Sequence, residues 1–152
     1  MQQGTQRHIL YDPGFPKQDS DDLWTFSRFR VVGYAFAWAN TPSVRKTNIT
    51  ESLNPAPWLI GGVEVNPSLV ERVIAADVTL STGNNEKDRR ANRYVDIVSG
   101  WNSGRHKSPH LNGTFPAGGN QLYGDGHVSY VRFDRMYVRN DPRPDIGIYF
   151  WW

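Results

Sequence analysis

Cysteine is absent from all 152 residues, so the chain has no disulfide framework, no thiol nucleophile and no Cys-type zinc site. Outside the cell, stability would then rest on a packed core or on a metal. Long apolar runs are missing too. The longest, about residues 31–39, contains Gly33 and is bordered by Arg30 and Asn40, whereas a membrane span needs on the order of 18 to 20 apolar residues. Nor does the opening Met1-Gln2-Gln3-Gly4-Thr5-Gln6-Arg7-His8 have the basic, apolar and small-residue sections of a signal peptide. The expectation is a soluble chain with no membrane contact of its own. Charge of one sign is not concentrated: the net charge is +2, and arginines are scattered as Arg28 with Arg30, Arg89 and Arg90 with Arg93, and Arg132 with Arg135 and Arg139. A nucleic-acid binder gathers such charge on one face, so nucleic acid is not an expected partner. Catalytic signatures are also lacking: no Gly-x-Ser-x-Gly elbow, no phosphate loop and no His-Glu-x-x-His helix. Ser103, Ser108 and Ser129 lie near histidines without an order of nucleophile, base and orienting acid. The expectation is a non-catalytic protein.

What is present fits one folded domain. Apolar residues at 38%, charged at 21% and aromatic at 13% are the balance of a packed core, and a chain this long buries roughly 70% of its unfolded surface. Fourteen Gly and ten Pro cut it into short pieces, favouring strands and loops over long helices. Residues 1–22 read as an irregular arm, with Pro13, Gly14 and Pro16 excluding regular structure, and residues 23–152 as a single globular domain. Strands are expected at 29–38, 58–65, 72–81 and, more weakly, 94–99. A short helix is expected from Pro67, capped by Asn66, to about Arg72, and long connections at 40–57, 82–92 and 100–119. The fold class is α+β, mainly β: an antiparallel sheet with long loops.

The densest signal lies in residues 117–133. Residues 120–123 and 127–133 alternate aromatic and β-branched side chains, and Gly124-Asp125-Gly126 separates them. Asp-Gly between such runs is a strong hairpin signal, because a primed turn needs positive φ that Gly tolerates freely and Asp better than most. Asp77, His106, His110, Asp125 and His127 are residue types that hold divalent ions. Imidazole suits zinc, whereas carboxylates, Asn side chains and carbonyls suit calcium. Pro109 makes a helical two-His face from His106 and His110 improbable. The plain alternative is that Asp125 supplies turn geometry and His127 is partly exposed where the strand starts.

The order of these residues resembles bacterial pseudopilin-like proteins of the prepilin-type processing-associated class. His110, then Pro116-Ala117-Gly118-Gly119-Asn120, then Asp125-Gly126-His127-Val128 and Tyr130-Val131-Arg132-Phe133 follow that pattern, as does the Phe150-Trp151-Trp152 ending. The spacer between His110 and Asp125 is longer than the family's, and the family's hydrophobic N-terminal helix has no counterpart in these residues. A weaker likeness runs through Tyr11-Asp12-Pro13-Gly14, Val32-Gly33-Tyr34-Ala35 and Ala75-Ala76-Asp77. The resemblance implies a pseudopilin-like globular head at the cell envelope or extracellular side. It would be a structural subunit of a type II secretion or type IV pilus-like apparatus, contacting other pilin-like subunits or secreted cargo, with homo-oligomers possible. The motif residues His110, Gly118, Gly119, Asn120, Asp125, Gly126 and His127 would be structural; apart from the resemblance, the residue types Asp77, His110, Asp125 and His127 could hold a structural cation, Ca or Zn. His110 would tie the 100–119 loop to the hairpin, with Asn120 or Asp125 as partner.

A secreted carbohydrate- or surface-binding module with a structural metal is the rival reading. Six Trp and seven Tyr could supply stacking platforms, and Tyr149, Phe150, Trp151 and Trp152 form an aromatic terminus that could bind a partner. That terminus reads equally as a final strand, since Ile146, Ile148 and Phe150 alternate onto one face. It docks either on its own sheet or on a neighbouring subunit.

Overall fold

Glycine and proline punctuate the chain so often that no strand among the described residues exceeds the six of the longest. A computed structural model describes residues 6–25, 30–36, 58–60, 63–65, 68–98, 105–139 and 147–152, with 58–60 and 63–65 described through backbone alone. The molecule is mainly β, with antiparallel pairing throughout the described strands and little helix. No helix of the described residues is long and apolar enough to cross a membrane.

The described part of the lead-in, residues 6–22, is built of short turns and is packed. It carries 3-10 turns at Arg7–Leu10 and Pro16–Gln18 and a one-turn helix, α1 (Asp21–Trp24). Ser20 caps that helix by accepting the Leu23 N–H at 3.4 Å. Tyr11, Asp12, Phe15 and Gln18 are buried. The Tyr11 hydroxyl donates to the Val31 carbonyl (2.7 Å) and the Gly33 N–H donates to the Leu10 carbonyl (2.8 Å). A Cβ at Gly33 would stand 2.8 Å from the Asp12 nitrogen, so only glycine lets the two segments touch.

Twelve described strands follow: β1 (Tyr34–Phe36), β2 (Trp58–Ile60), β3 (Val63–Val65), β4 (Val73–Asp77), β5 (Thr79–Thr82), β6 (Ile97–Val98), β7 (Arg105–His106), β8 (Leu111–Asn112), β9 (Phe115–Pro116), β10 (Gly118–Tyr123), β11 (Val128–Arg132) and β12 (Ile148–Trp151). The principal sheet has the order β1-β4-β10-β11, and β5 pairs with β12. The expected strand at 29–38 is seen at Tyr34–Phe36, while 29 and 37–38 lie outside the described residues. The run 58–65 is a hairpin of β2 and β3, and 72–81 divides at Val78, where the chain leaves β1 and β10 for β12. In place of the helix before Arg72 there is a turn at 69–71, its start braced by the Ser68 N–H and hydroxyl donating to Glu71 Oε2 (3.0 and 2.9 Å). Asn66, Pro67 and the connection 40–57 lie outside the described residues. The 100–119 loop contains β7, β8 and β9, two residues each.

The Asp-Gly hairpin forms in the expected place with a different turn. Gly126 N–H donates to Tyr123 O and Tyr123 N–H to His127 O, both at 2.9 Å. Of the three turn residues only Gly126 has positive φ, at 92°. This is a type I turn closed by a left-handed glycine, the three-residue loop geometry rather than a primed turn. Asp125 therefore serves the turn through its side chain.

The aromatic terminus is docked on its own fold. Ile148, Tyr149, Phe150 and Trp151 pair with Thr82, Ser81, Leu80 and Thr79. Trp151 joins Tyr94, Phe133, Met136 and Val138 in one core cluster, and Trp152 joins Val73 and Ala76 in another. Trp151 Nε1–H donates to Ser81 Oγ (2.7 Å), and Arg139 Nε–H donates to the Trp152 carbonyl (2.9 Å). Of the residues expected as a partner-binding surface, Trp151 and Trp152 are buried, and Tyr149 and Phe150 are half-buried. Trp151→Ala is accordingly expected to cost about 3–5 kcal/mol in urea unfolding; a loss under about 1 kcal/mol would contradict its place in the core.

Candidate functional site

Four segments distant in sequence meet around one carboxylate. Asp77 is the last residue of β4, at the point where the chain turns towards β5. Its Oδ2 accepts the backbone N–H of Asn120 (2.7 Å) and the Asn120 side-chain amide (2.9 Å). The carboxylate thus satisfies a β10 donor just where β4 stops. His110 Nε2 approaches the same oxygen at 2.9 Å. From the lead-in comes Asp12, whose Oδ2 lies 3.4 Å from His110 Nε2. Asp12, Asp77 and His110 are thereby grouped as a possible metal-binding triad.

Local structure explains why each side chain arrives. Asp12 is fixed by an Asx turn in which its Oδ1 accepts the Gly14 N–H at 2.6 Å. A Cβ at Gly14 would meet that oxygen at 2.9 Å and Pro109 Cβ at 3.2 Å, so glycine allows the lead-in to lie against the His110 loop. His110 itself sits at φ 51°, in the left-handed region. Its carbonyl accepts the Ala117 N–H (2.9 Å) and its ring meets Tyr130 edge-on at 6.0 Å. The Gly118-Gly119 pair makes room for this. A Cβ at Gly118 would stand 2.2 Å from the Val131 carbonyl and 2.9 Å from the Tyr130 ring, and one at Gly119 would stand 3.3 Å from Asp77 Cβ.

Burial dominates the electrostatics. Asp12 is 2% and Asp77 6% exposed. Desolvation pushes the Asp12 carboxyl above its ordinary range; the Gly14 N–H opposes this, the Asp77 charge adds to it, and His110 opposes it. The Tyr34 hydroxyl is also raised, by burial first and then by the charges of Asp12 and Asp77. Asp12 Oδ2 is fully buried and makes no hydrogen bond.

The residues expected as one metal set divide into two places. Asp77 and His110 do converge, and Asn120 joins them as a hydrogen-bond donor. Asp125 and His127 do not: they sit at the hairpin tip and pair with each other, His127 Nδ1 to Asp125 Oδ1 at 2.6 Å. The His127 N–H donates to the same oxygen (3.1 Å), and its ring stacks on Tyr123 at 4.2 Å. Those two donors, backbone first, lower the Asp125 carboxyl. The expected partner of His110, Asn120 or Asp125, is corrected to Asp77, through which His110 reaches Asn120 indirectly. Asp12 was not singled out from sequence; the signal for it is Asp12-Pro13-Gly14, an Asx-turn pattern within a segment read as an arm. His106 is elsewhere, 5% exposed and edge-on to Phe15.

No protein-family model matches the chain, and no curated protein or solved structure matches it.

Two outcomes are expected here. Removing the His110 ring by His110→Ala should cost about 1–2 kcal/mol, because Asp77 then has one donor fewer in a buried place. Proteolysis within 105–117 should quicken, whereas Asp125→Asn, confined to the hairpin tip, should leave that proteolysis unchanged; equal quickening by the two variants would contradict the assignment. Burial holds the His106 imidazole below its ordinary 6.5. As pH falls through that value the unfolded chain binds a proton that the native chain refuses. Stability present above pH 6.5 is therefore lost below it, at up to about 1.4 kcal/mol per pH unit. Urea titrations at pH 7.5 to 5 should show a shallower decline for His106→Gln; an unchanged slope would exclude His106 as the group responsible.

Proposed function

We propose that the chain is a non-catalytic, pseudopilin-like head: a structural subunit of a secretion or pilus-like apparatus at the cell envelope, contacting pilin-like neighbours or secreted cargo. The observation that carries this reading is the convergence of His110, Gly118, Gly119 and Asn120 with Asp77. In it the residues that bear the family resemblance each do positioning work: two glycines permit close approach, and the polar groups pin a loop to the sheet. Asp125 and His127 serve the turn in the same way. A structural divalent cation at Asp77 and His110, calcium or zinc, belongs to this reading.

Strand β11 offers a surface suited to subunit contact, with Val128 62% and Tyr130 52% exposed on one face. The carbohydrate-module reading ranks second, because Trp151 and Trp152 are buried rather than available as platforms. Mixed with pilin-like subunits encoded in the same genome, the full chain is expected to form crosslinks through β11. Val128→Glu should reduce their yield severalfold with an unchanged melting temperature, and polysaccharides should leave tryptophan fluorescence unmoved. A chain that forms no crosslink and whose fluorescence shifts with polysaccharide would overturn the reading in favour of the binding module.

A further inference from the structure

We propose that Asp12, Asp77 and His110 form a site for a divalent transition-metal ion of the zinc class, completed only when the lead-in segment is docked on the sheet. The inference rests on the cation part of the reading above and is independent of subunit assembly. It names the ligands, selects the ion and assigns the ion a task.

The donor set selects the ion. Zinc holds nitrogen and oxygen ligands at about 2.0–2.2 Å, which in a tetrahedron sets neighbouring donors about 3.3–3.6 Å apart, so the hydrogen-bonded His110–Asp77 pair opens by about half an ångström on binding. His110 Nε2 lies 3.4 Å from Asp12 Oδ2 and 2.9 Å from Asp77 Oδ2, and the three ligand atoms all lie within 4.8 Å of one another. Calcium takes six to eight oxygens at longer distances, and an imidazole nitrogen at the centre of the group works against it. Two buried carboxylates side by side hold either a shared proton or a cation: burial raises the Asp12 carboxyl, Asp77 adds to this by charge and by a side-chain hydrogen bond to the protonated form, and Gly14 N–H and His110 act the other way. A divalent cation neutralises both carboxylates at once.

The arrangement around the donors is that of oriented ligands. Gly14 N–H occupies Asp12 Oδ1, leaving Oδ2 for the ion, and Asn120 fixes the Asp77 carboxylate through two hydrogen bonds to Oδ2 itself. Such outer partners fix the direction of ligating carboxylates. Independently, Asp12 Oδ2 is buried without a hydrogen bond and is directed at His110 Nε2. A metal–oxygen bond removes that deficit. Without the ion His110 Nε2–H donates to Asp77 Oδ2; binding replaces that hydrogen bond, the ring proton moving to Nδ1 so that the Nε2 lone pair takes the ion. His110 is 29% exposed against 2% and 6% for the carboxylates, so solvent reaches the site from its side and supplies a water to the remaining position. Because Asp12 comes from the lead-in, Asp77 from β4 and His110 from the loop between β7 and β8, one ion joins three segments.

The test uses the full chain stripped with chelator and then titrated separately with zinc chloride and calcium chloride. At a hundred times its dissociation constant, zinc is expected to raise the melting temperature by roughly 5–10 °C and to slow proteolysis within residues 6–25. Cobalt(II) in its place should give the visible absorption of a four-coordinate nitrogen–oxygen site. Asp12→Asn keeps the acceptor for Gly14 N–H, so its metal-free melting temperature should stay within a few degrees of the parent, while its zinc affinity falls at least tenfold. The double variant Asp125→Asn, His127→Ala should bind zinc as the parent does. Zinc binding unaffected by Asp12→Asn would overturn the proposal by placing the ion elsewhere. Stabilisation by calcium alone would overturn the ion assignment and leave a structural cation standing. No response to either ion would overturn both, without bearing on the crosslinking that tests subunit assembly.

Discussion

The hydrogen bonds at Asp77 Oδ2 govern how the rest of the chain is arranged. A strand that changes sheets leaves its former neighbour's backbone groups without partners, and a buried N–H in that position costs about as much as a lost hydrogen bond. Here β4 ends at Asp77, and the side chain takes up the Asn120 N–H where continued pairing with β10 would be expected. The break at Val78 becomes tolerable, and β5 can turn to β12. Burying a carboxylate is itself costly, so the oxygen must be saturated. Asn120 contributes two donors, and His110, brought 33 residues along the chain, contributes the next contact. The position of the 105–117 loop thus follows from the electrostatic needs of one strand end.

The other organising element is aromatic, and it answers the absence of cysteine. Tyr94, Phe133 and Trp151 meet with ring centroids 5.2 to 6.3 Å apart, in tilted and edge arrangements that aromatic pairs prefer. Arg89 lies over Phe133 and Trp151 and donates to the Phe133 carbonyl. This cluster joins the residues just after β11, the segment between β5 and β6 and the C-terminal strand. Segments that disulfides would crosslink in a secreted domain are here held by ring packing and by the polar node around Asp77.

Legibility in the sequence followed the range of the interactions. The 117–133 hairpin could be read because its signals are local: alternation, then Gly-Asp-Gly. Even so the turn type was misread, since Gly126 alone supplies the positive φ and the register of β10 and β11 admits a three-residue loop. The run 72–81 was recognisable as extended and as the carrier of Asp77, but its division at Val78 was not, because β-branched residues favour a strand on either side of a corner. Within the 100–119 loop, Asn112-Gly113 was a usable hairpin signal: Gly113 has φ 64° between β8 and β9. Two-residue strands are too short for periodicity to reveal.

The candidate ligands show the same division more sharply. Asp125 and His127 attract attention because they are two residues apart, yet that spacing across a turn is what lets the side chains satisfy each other. A carboxylate and an imidazole that have already paired locally are poor recruits for a distant site. Asp12 is the converse case. Its own turn uses one oxygen and leaves the other buried without a donor, so its chemistry is completed only by residues 65 and 98 positions away, Asp77 and His110. An acidic residue in an apparently irregular segment carries no periodic signal, and only the fold reveals that its charge is enclosed. The physical consequence is that the lead-in cannot be regarded as an appendage. It delivers an incompletely satisfied carboxylate into the polar centre of the molecule, and whatever compensates that carboxylate also governs whether the lead-in stays docked.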